Sequence, residues 1–138
     1  MIRRIDKFAE KLTFYTQQEK NLILEAAHWS RKMHQNQLRA SGEPYFIHPL
    51  QVAEILVDMR MDHESVIAAF LHDILEDTQI SRTELRTKFG REIENLVNGV
   101  TKISIVKAKT KSNQESESIR KMLFAMVKDI RVILIKLA

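Results

Sequence analysis

The chain has 138 residues, 44% of them hydrophobic and 29% charged; that is one domain's worth of sequence with enough apolar material for a core, and it excludes wholesale disorder. Three Gly and two Pro are too few for the many tight turns of a sandwich or barrel, and the absence of Cys excludes a disulfide scaffold, thiolate catalysis and a sulfur-based zinc site. The formal net charge of +4 favours an anionic partner, whether nucleotide, phosphorylated substrate or nucleic acid, without deciding among them.

No apolar run approaches the roughly 20 residues needed to cross a bilayer. The start, Met1 to Phe8, breaks its apolar residues with charge and lacks a signal-peptide core, so a cytoplasmic protein with no membrane partner is expected. Ile2, Ile5, Phe8, Ala9 and Leu12 recur at helical spacing and predict a short amphipathic helix. Thr16-Gln-Gln-Glu19 is a capping box that opens a second helix, with Leu22, Ile23, Ala26, Ala27, Ser30 and Met33 on one face, running to about His34. Ser41-Gly42-Glu43-Pro44 predicts a turn.

His48-Pro49 restarts the helical pattern, with Pro expected at the first helical position, and Leu50, Ala53, Ile55, Leu56 and Met59 carry it to about Arg60. Asp62 suits the N-cap of a strongly apolar fourth helix through Val66, Ile67, Phe70, Leu71, Ile74 and Leu75. Ser81-Arg-Thr-Glu84 is a second capping box, whose helix stops near Phe89-Gly90. A short helix is expected over Glu92–Asn98, ended by Gly99. Residues 107–118 lack apolar periodicity and predict a mobile charged loop, after which a helix resumes from Ile119. With no strand and no internal repeat in the pattern, the class is all-α. The final Val132-Ile-Leu-Ile-Lys-Leu-Ala138 stops in mid-pattern without a capping residue, which predicts a single domain, 1–138, truncated on its C-terminal side.

The chemistry concentrates in Phe70-Leu-His-Asp-Ile-Leu-Glu-Asp-Thr78. On a continuous helix His72, Asp73, Glu76 and Asp77 fall within roughly 140° of arc. Three carboxylates so grouped repel one another, and burying any of them unpaired is costly; a divalent cation resolves both problems, and imidazole with carboxylate oxygens suits Mn²⁺, Fe²⁺, Zn²⁺ or Mg²⁺. The same acids also suit an exposed last helical turn, but the flanking Leu71, Ile74 and Leu75 place the stripe beside the core and favour a metal site. His48 reads either as an imperfect N-cap or as a further ligand. Arg39, in the loop before it, suits stacking on a base or pairing with a phosphate, and Ser41 suits a hydrogen bond. Trp29 and the Met residues read as core; His28, His34 and His63 read as structural; Lys107, Lys109 and Lys111 read as solvated charge.

Taken in order, Gln37-Leu-Arg-Ala-Ser-Gly-Glu-Pro-Tyr-Phe-Ile-His-Pro49, Ala69-Phe-Leu-His-Asp-Ile-Leu-Glu-Asp-Thr78, Phe89-Gly90, Val97-Asn-Gly-Val-Thr-Lys102 and the segments from Arg120 to Ala138 resemble the N-terminal hydrolase domain of the RelA/SpoT alarmone enzymes, within the HD-type metal phosphohydrolases. The resemblance implies an all-α HD-domain helical bundle that binds Mn²⁺ and hydrolyses the 3′-pyrophosphate of guanosine tetra- or pentaphosphate, (p)ppGpp, to GDP or GTP and pyrophosphate. Carried over by residue, it implies His48, His72 and Asp73 as metal ligands and Glu76 and Asp77 as the groups that position and activate water. Arg39 would stack on guanine and Ser41 would line the nucleotide pocket. It further implies a parent protein with a synthetase and regulatory region after residue 138; nucleic-acid binding driven by charge lacks a recognition helix or motif in this sequence, so no DNA partner is expected. Two departures stand out: Ala40 occupies a position that is often basic in active members, and the family's fourth metal ligand, an Asp, would follow Ala138. These leave two further readings open, a nucleotide-binding regulatory module without turnover and a phosphohydrolase of another nucleotide.

Overall fold

Local capping signals set three of the helix starts, those of the second, fourth and sixth helices. In the computed structural model, which describes residues 2–109 and 130–137, α1 (Ile2–Ala9) is followed by a 3-10 turn (Leu12–Phe14) and by α2 (Gln17–Met33). The capping box at α2 forms in both directions: the Glu19 N–H donates to Thr16 Oγ1 at 3.1 Å and the Thr16 N–H to Glu19 Oε1 at 3.0 Å. Next come α3 (Ile47–Asp58) and α4 (His63–Leu71), the latter capped by Asp62, whose carboxylate accepts the Ser65 N–H at 3.1 Å. At Ser81 the hydroxyl half of the second box forms, with the Glu84 N–H donating to Ser81 Oγ at 3.2 Å, and opens α6 (Arg82–Phe89).

The turn from α3 to α4 is a Schellman motif: the Met61 N–H reaches the Leu56 carbonyl at 3.0 Å and the Arg60 N–H the Val57 carbonyl at 2.9 Å. Its left-handed residue is Arg60, at φ 55°, where glycine is the usual occupant. The Tyr15 hydroxyl donates to the Met61 carbonyl at 2.6 Å and ties this turn to the end of the 3-10 segment.

Helix α4 is the axis of the bundle. Every residue from Ser65 to Leu71 is buried, as expected of a helix that is apolar all round. It packs against α2, α3, α7 (Arg91–Lys109) and the last described helix, α8 (Ile130–Leu137). Its Phe70 lies edge-on to Phe8 at 5.3 Å and parallel to Phe46 at 6.0 Å; burying a ring of this size contributes roughly 1.5–3 kcal/mol. Among the described residues there is no strand beyond one isolated bridge, Leu38 with Pro44, and the all-α class holds. No helix among the described residues is long and apolar enough to cross a membrane.

Four expectations are corrected. Gly99 does not end a helix, since α7 continues through it to Lys109. The reason is packing: a Cβ at Gly99 would lie 2.9 Å from Val132 Cγ2, so the glycine lets α8 approach α7. Accordingly Lys107, Ala108 and Lys109 belong to a helix rather than to a loop, while the rest of the predicted loop and the predicted helix over 119–129 lie outside the described residues. Pro49 is the third residue of α3 rather than its first; it still forfeits no helical bond, because the first four N–H groups of a helix have no partner within it. Met59, expected in the core, is 54% exposed, and Ile55, part of the same apolar pattern, is 44% exposed.

Candidate metal centre

The helix expected to run unbroken through His72, Asp73, Glu76 and Asp77 is broken. Helix α4 ends at Leu71, with His72 as its C-cap, and a separate turn, α5 (Ile74–Asp77), follows. Side chains claim the backbone carbonyls that an unbroken helix would use. His72 Nδ1–H donates to the Ala69 carbonyl at 2.5 Å, and the fully buried Ser30 on α2 donates its hydroxyl to the Phe70 carbonyl at 2.8 Å. Such bonds compete with the i to i−4 ladder. The continuous stripe inferred from the sequence is therefore replaced by a corner, with His72 and Asp73 at its apex.

This corner faces the start of α3. His48, second residue of that helix, places its ring 5.4 Å from that of His72, at 67°. Three polar groups converge on one oxygen. Asp73 Oδ2 lies 3.0 Å from His72 Nε2, 3.9 Å from His48 Nε2 and 3.0 Å from the Tyr45 hydroxyl, which donates to it. One ligand atom from each of His48, His72 and Asp73 fits within a span of 4.8 Å, and among the described residues this is the group of three or more metal-ligating side chains so gathered.

The donor set fits a cation. Because His72 Nδ1–H is spent on a carbonyl, Nε2 is the ring nitrogen that faces a carboxylate oxygen only 3.0 Å away. Two lone pairs face each other at that distance only if positive charge, a proton or a metal ion, lies between or beside them. Hydrogen-bonding the second ring nitrogen to a backbone carbonyl is also how metal-binding histidines are commonly oriented. Burial alone would raise the Asp73 carboxyl, but hydrogen bonds from His72 and Tyr45 and the fields of His72 and His48 outweigh it and hold its pKa at about 2. Asp73 thus stands ready as an anion at neutral pH.

The other predicted site residues divide into two groups. Arg39 and Ser41 are exposed on the turn between α2 and α3, where Gly42 adopts φ 87° and the Arg39 N–H bonds the Glu43 carbonyl at 2.8 Å. The backbone of Glu76 and Asp77 belongs to α5, but the placement of their side chains lies outside the described residues, as does Ala138. Sequence reasoning missed Tyr45 and Ser30. Tyr45 carried a signal, an aromatic hydroxyl three residues before His48 in an otherwise polar loop; Ser30 looked like one more small residue on the buried face of α2.

The chain matches the HD domain family over residues 26–138, which includes the corner, the start of α3 and the turn before it. It is 49% identical over 121 residues to a GTP pyrophosphokinase of Myxococcus xanthus, covering 86% of this chain and 16% of that protein. It is 48% identical over 109 residues to the bifunctional (p)ppGpp synthase/hydrolase SpoT of Escherichia coli K12, covering 79% of this chain and 16% of that one. It is 43% identical over 136 residues to a guanosine-3′,5′-bis(diphosphate) 3′-pyrophosphohydrolase of Borreliella burgdorferi, covering 99% of this chain and 20% of that one. The chain thus spans a fifth or less of the length of these curated relatives. With a His-Asp corner between α4 and α5, a further histidine at the start of α3 and the family match across both, the chain belongs to the HD domain family and is similar to the hydrolase-bearing proteins of the RelA/SpoT group.

Proposed function

We propose that this chain carries out the hydrolysis of the 3′-pyrophosphate of (p)ppGpp, giving GDP or GTP and pyrophosphate, as the hydrolase part of a longer protein that also holds a synthetase and regulatory region. The observation that carries this reading is the convergence of His48, His72 and Asp73 within 4.8 Å in a chain related to named (p)ppGpp pyrophosphohydrolases. His48, His72 and Asp73 would hold a divalent ion, with Mn²⁺ as the proposed metal. When bound, such an ion supplies Lewis acidity, lowering the pKa of water from 15.7 toward about 7 and offsetting charge on phosphoryl oxygens.

The chain's own residues supply the rest. His72 is fixed by its bond to the Ala69 carbonyl and Asp73 by Tyr45. Glu76 and Asp77 follow within one helical turn; their proposed role is to orient the attacking water and accept its proton, which a carboxylate does once within hydrogen-bond reach. Arg39 is proposed to stack on guanine and Ser41 to hydrogen-bond the nucleotide, both from the exposed turn before α3. The net charge of +4 suits a polyanionic substrate.

The test is pyrophosphate release from ppGpp with Mn²⁺ by the protein at its natural length. The reaction is expected to require His72 and Asp73, so undiminished release by His72→Ala or Asp73→Ala overturns the assignment. Tight ppGpp binding without turnover would replace it with a nucleotide-binding module, the outcome for which Ala40 beside Arg39 is the sequence argument. Preference for another phosphorylated nucleoside would keep the reaction and change the substrate.

A further inference from the structure

The exposed turn and the metal centre share an anchor. At the base of the turn the Tyr45 N–H donates to the Gln37 carbonyl at 2.9 Å, and Leu38 pairs with Pro44. The same two anchoring residues continue inward. Gln37 Oε1 accepts from His34 Nδ1 at 3.0 Å. The His34 ring is 1% exposed, its Nε2 buried with no hydrogen-bond partner, and it stacks on the Tyr45 ring at 4.8 Å and 29°. Gripped on that face, the Tyr45 ring delivers its hydroxyl to Asp73 Oδ2 at 3.0 Å.

We propose that Tyr45 is a positioning residue that aims Asp73 and couples closure of the 38–44 turn to divalent-cation binding at the His48–His72–Asp73 corner. The inference rests on the reading of that corner as a metal centre. Its physical basis is rigidity. The Tyr45 hydroxyl is a neutral donor that gives the carboxylate a fixed direction and leaves it lone pairs to offer, and hydrogen-bond partners of metal ligands typically control 10- to 100-fold of metal affinity. Tyr45 itself is held at the backbone by the turn and at the ring by His34, so a turn that opens carries the hydroxyl away from Asp73. Coupling of this kind is reciprocal: an ion that fixes Asp73 favours the closed turn, and whatever closes the turn strengthens ion binding. Arg39 and Ser41 ride on that turn, so their order would depend on the occupancy of the corner.

Tyr45→Phe isolates the hydroxyl, because the ring and its stack on His34 are kept. Mn²⁺ is titrated into the full-length protein, free ion being read by electron paramagnetic resonance, for wild type, Tyr45→Phe and Asp73→Asn. The expected result is about tenfold weaker Mn²⁺ binding in Tyr45→Phe, with a cooperative melting transition retained in the absence of metal. In parallel, tryptic cleavage at Arg39–Ala40 is followed by mass spectrometry. Saturating Mn²⁺ is expected to slow it in wild type and to slow it much less in Tyr45→Phe. Wild-type Mn²⁺ affinity in Tyr45→Phe, alongside lost binding in Asp73→Asn, overturns the positioning role and leaves the metal centre standing. Cleavage at Arg39 that ignores Mn²⁺ in wild type overturns the coupling. Unchanged binding in Asp73→Asn removes the metal centre itself, and this inference with it.

Discussion

Two places in the molecule defy their local pattern in opposite ways. At His72–Asp73 an apolar helical period runs on, yet the helix breaks; at Gly99 a stop signal appears, yet the helix continues. In both the deciding contact comes from a distant segment. Ser30, forty residues upstream, takes the Phe70 carbonyl at the break, and Val132 fills the space that a side chain at Gly99 would need. The difference lies in what the departure achieves. The break turns polar groups toward one another at a cluster of metal-ligating side chains, whereas the continuation brings two helices close and improves packing alone. Substitutions at the first should therefore be read mainly in ion binding and turnover, and at the second mainly in stability.

The largest expected effect is at the corner. Asp73→Ala removes the oxygen on which His72, His48 and Tyr45 converge. Divalent-ion binding and pyrophosphate release should fall by about 10²–10³-fold or more. If both persist, the corner is an ordinary helix irregularity and the contrast with Gly99 dissolves.

Gly99→Ala comes next. In a helix interior this change normally stabilises by about 0.5–1 kcal/mol. Here the new methyl meets Val132 Cγ2 at 2.9 Å, and Val132 is both β-branched and 6% exposed, so it has little room to turn away. Overpacking of this kind costs about 1–3 kcal/mol, and a net loss of stability is expected in urea denaturation, partly recovered by Val132→Ala in the same chain. A more stable Gly99→Ala would show that the glycine is not there for the approach of α8.

Ser30→Ala tests the break from the far side. Its hydroxyl is fully buried against the Phe70 carbonyl, and removing the donor should cost about 1–2 kcal/mol of stability. If the loss also weakens Mn²⁺ binding, Ser30 helps to hold the corner open; if stability is unchanged, the break depends on His72 rather than on α2.

Much of the fold was legible because its signals are local. The box at Thr16, the cap at Asp62 and the stop at Gly90 each act within one turn of chain, and each forms where the sequence places it. His48, His72 and Asp73 could be named as candidate ligands from the sequence, and their side chains lie within 4.8 Å of one another. Their arrangement could not be read, because the corner is made by Ser30 and Tyr45, whose partners lie 40 and 28 residues away. Met59 and Ile55 failed for a related reason: apolar spacing marks a face of a helix but does not say how far along it the neighbouring helices reach.

The smallest expected effect links the two regions. Asp62 opens the helix that ends at the corner, and it accepts from Arg131 Nη1 at 2.8 Å; Arg131 precedes Val132 on α8 and also bonds Glu92. Burial would raise the Asp62 carboxyl, but hydrogen bonds from Ser65 and Arg131 and the charge of Arg131 outweigh it and lower its pKa from the ordinary aspartate value. A carboxyl lowered in the folded state stabilises the fold above its ordinary pKa and loses that contribution as pH falls through the folded value. Asp62→Asn keeps an effective N-cap and removes the charge, so it should cost at most about 1 kcal/mol at neutral pH. The difference from wild type should shrink as pH falls below 4, as stability curves on both proteins will show. Combined with Gly99→Ala, the losses should fall short of additive by a measurable margin, since a displaced α8 has already drawn Arg131 away from Asp62. Strict additivity would mean that the corner helix and the α7–α8 contact answer independently to change, and that α8 reaches Asp62 whether or not it sits close on Gly99.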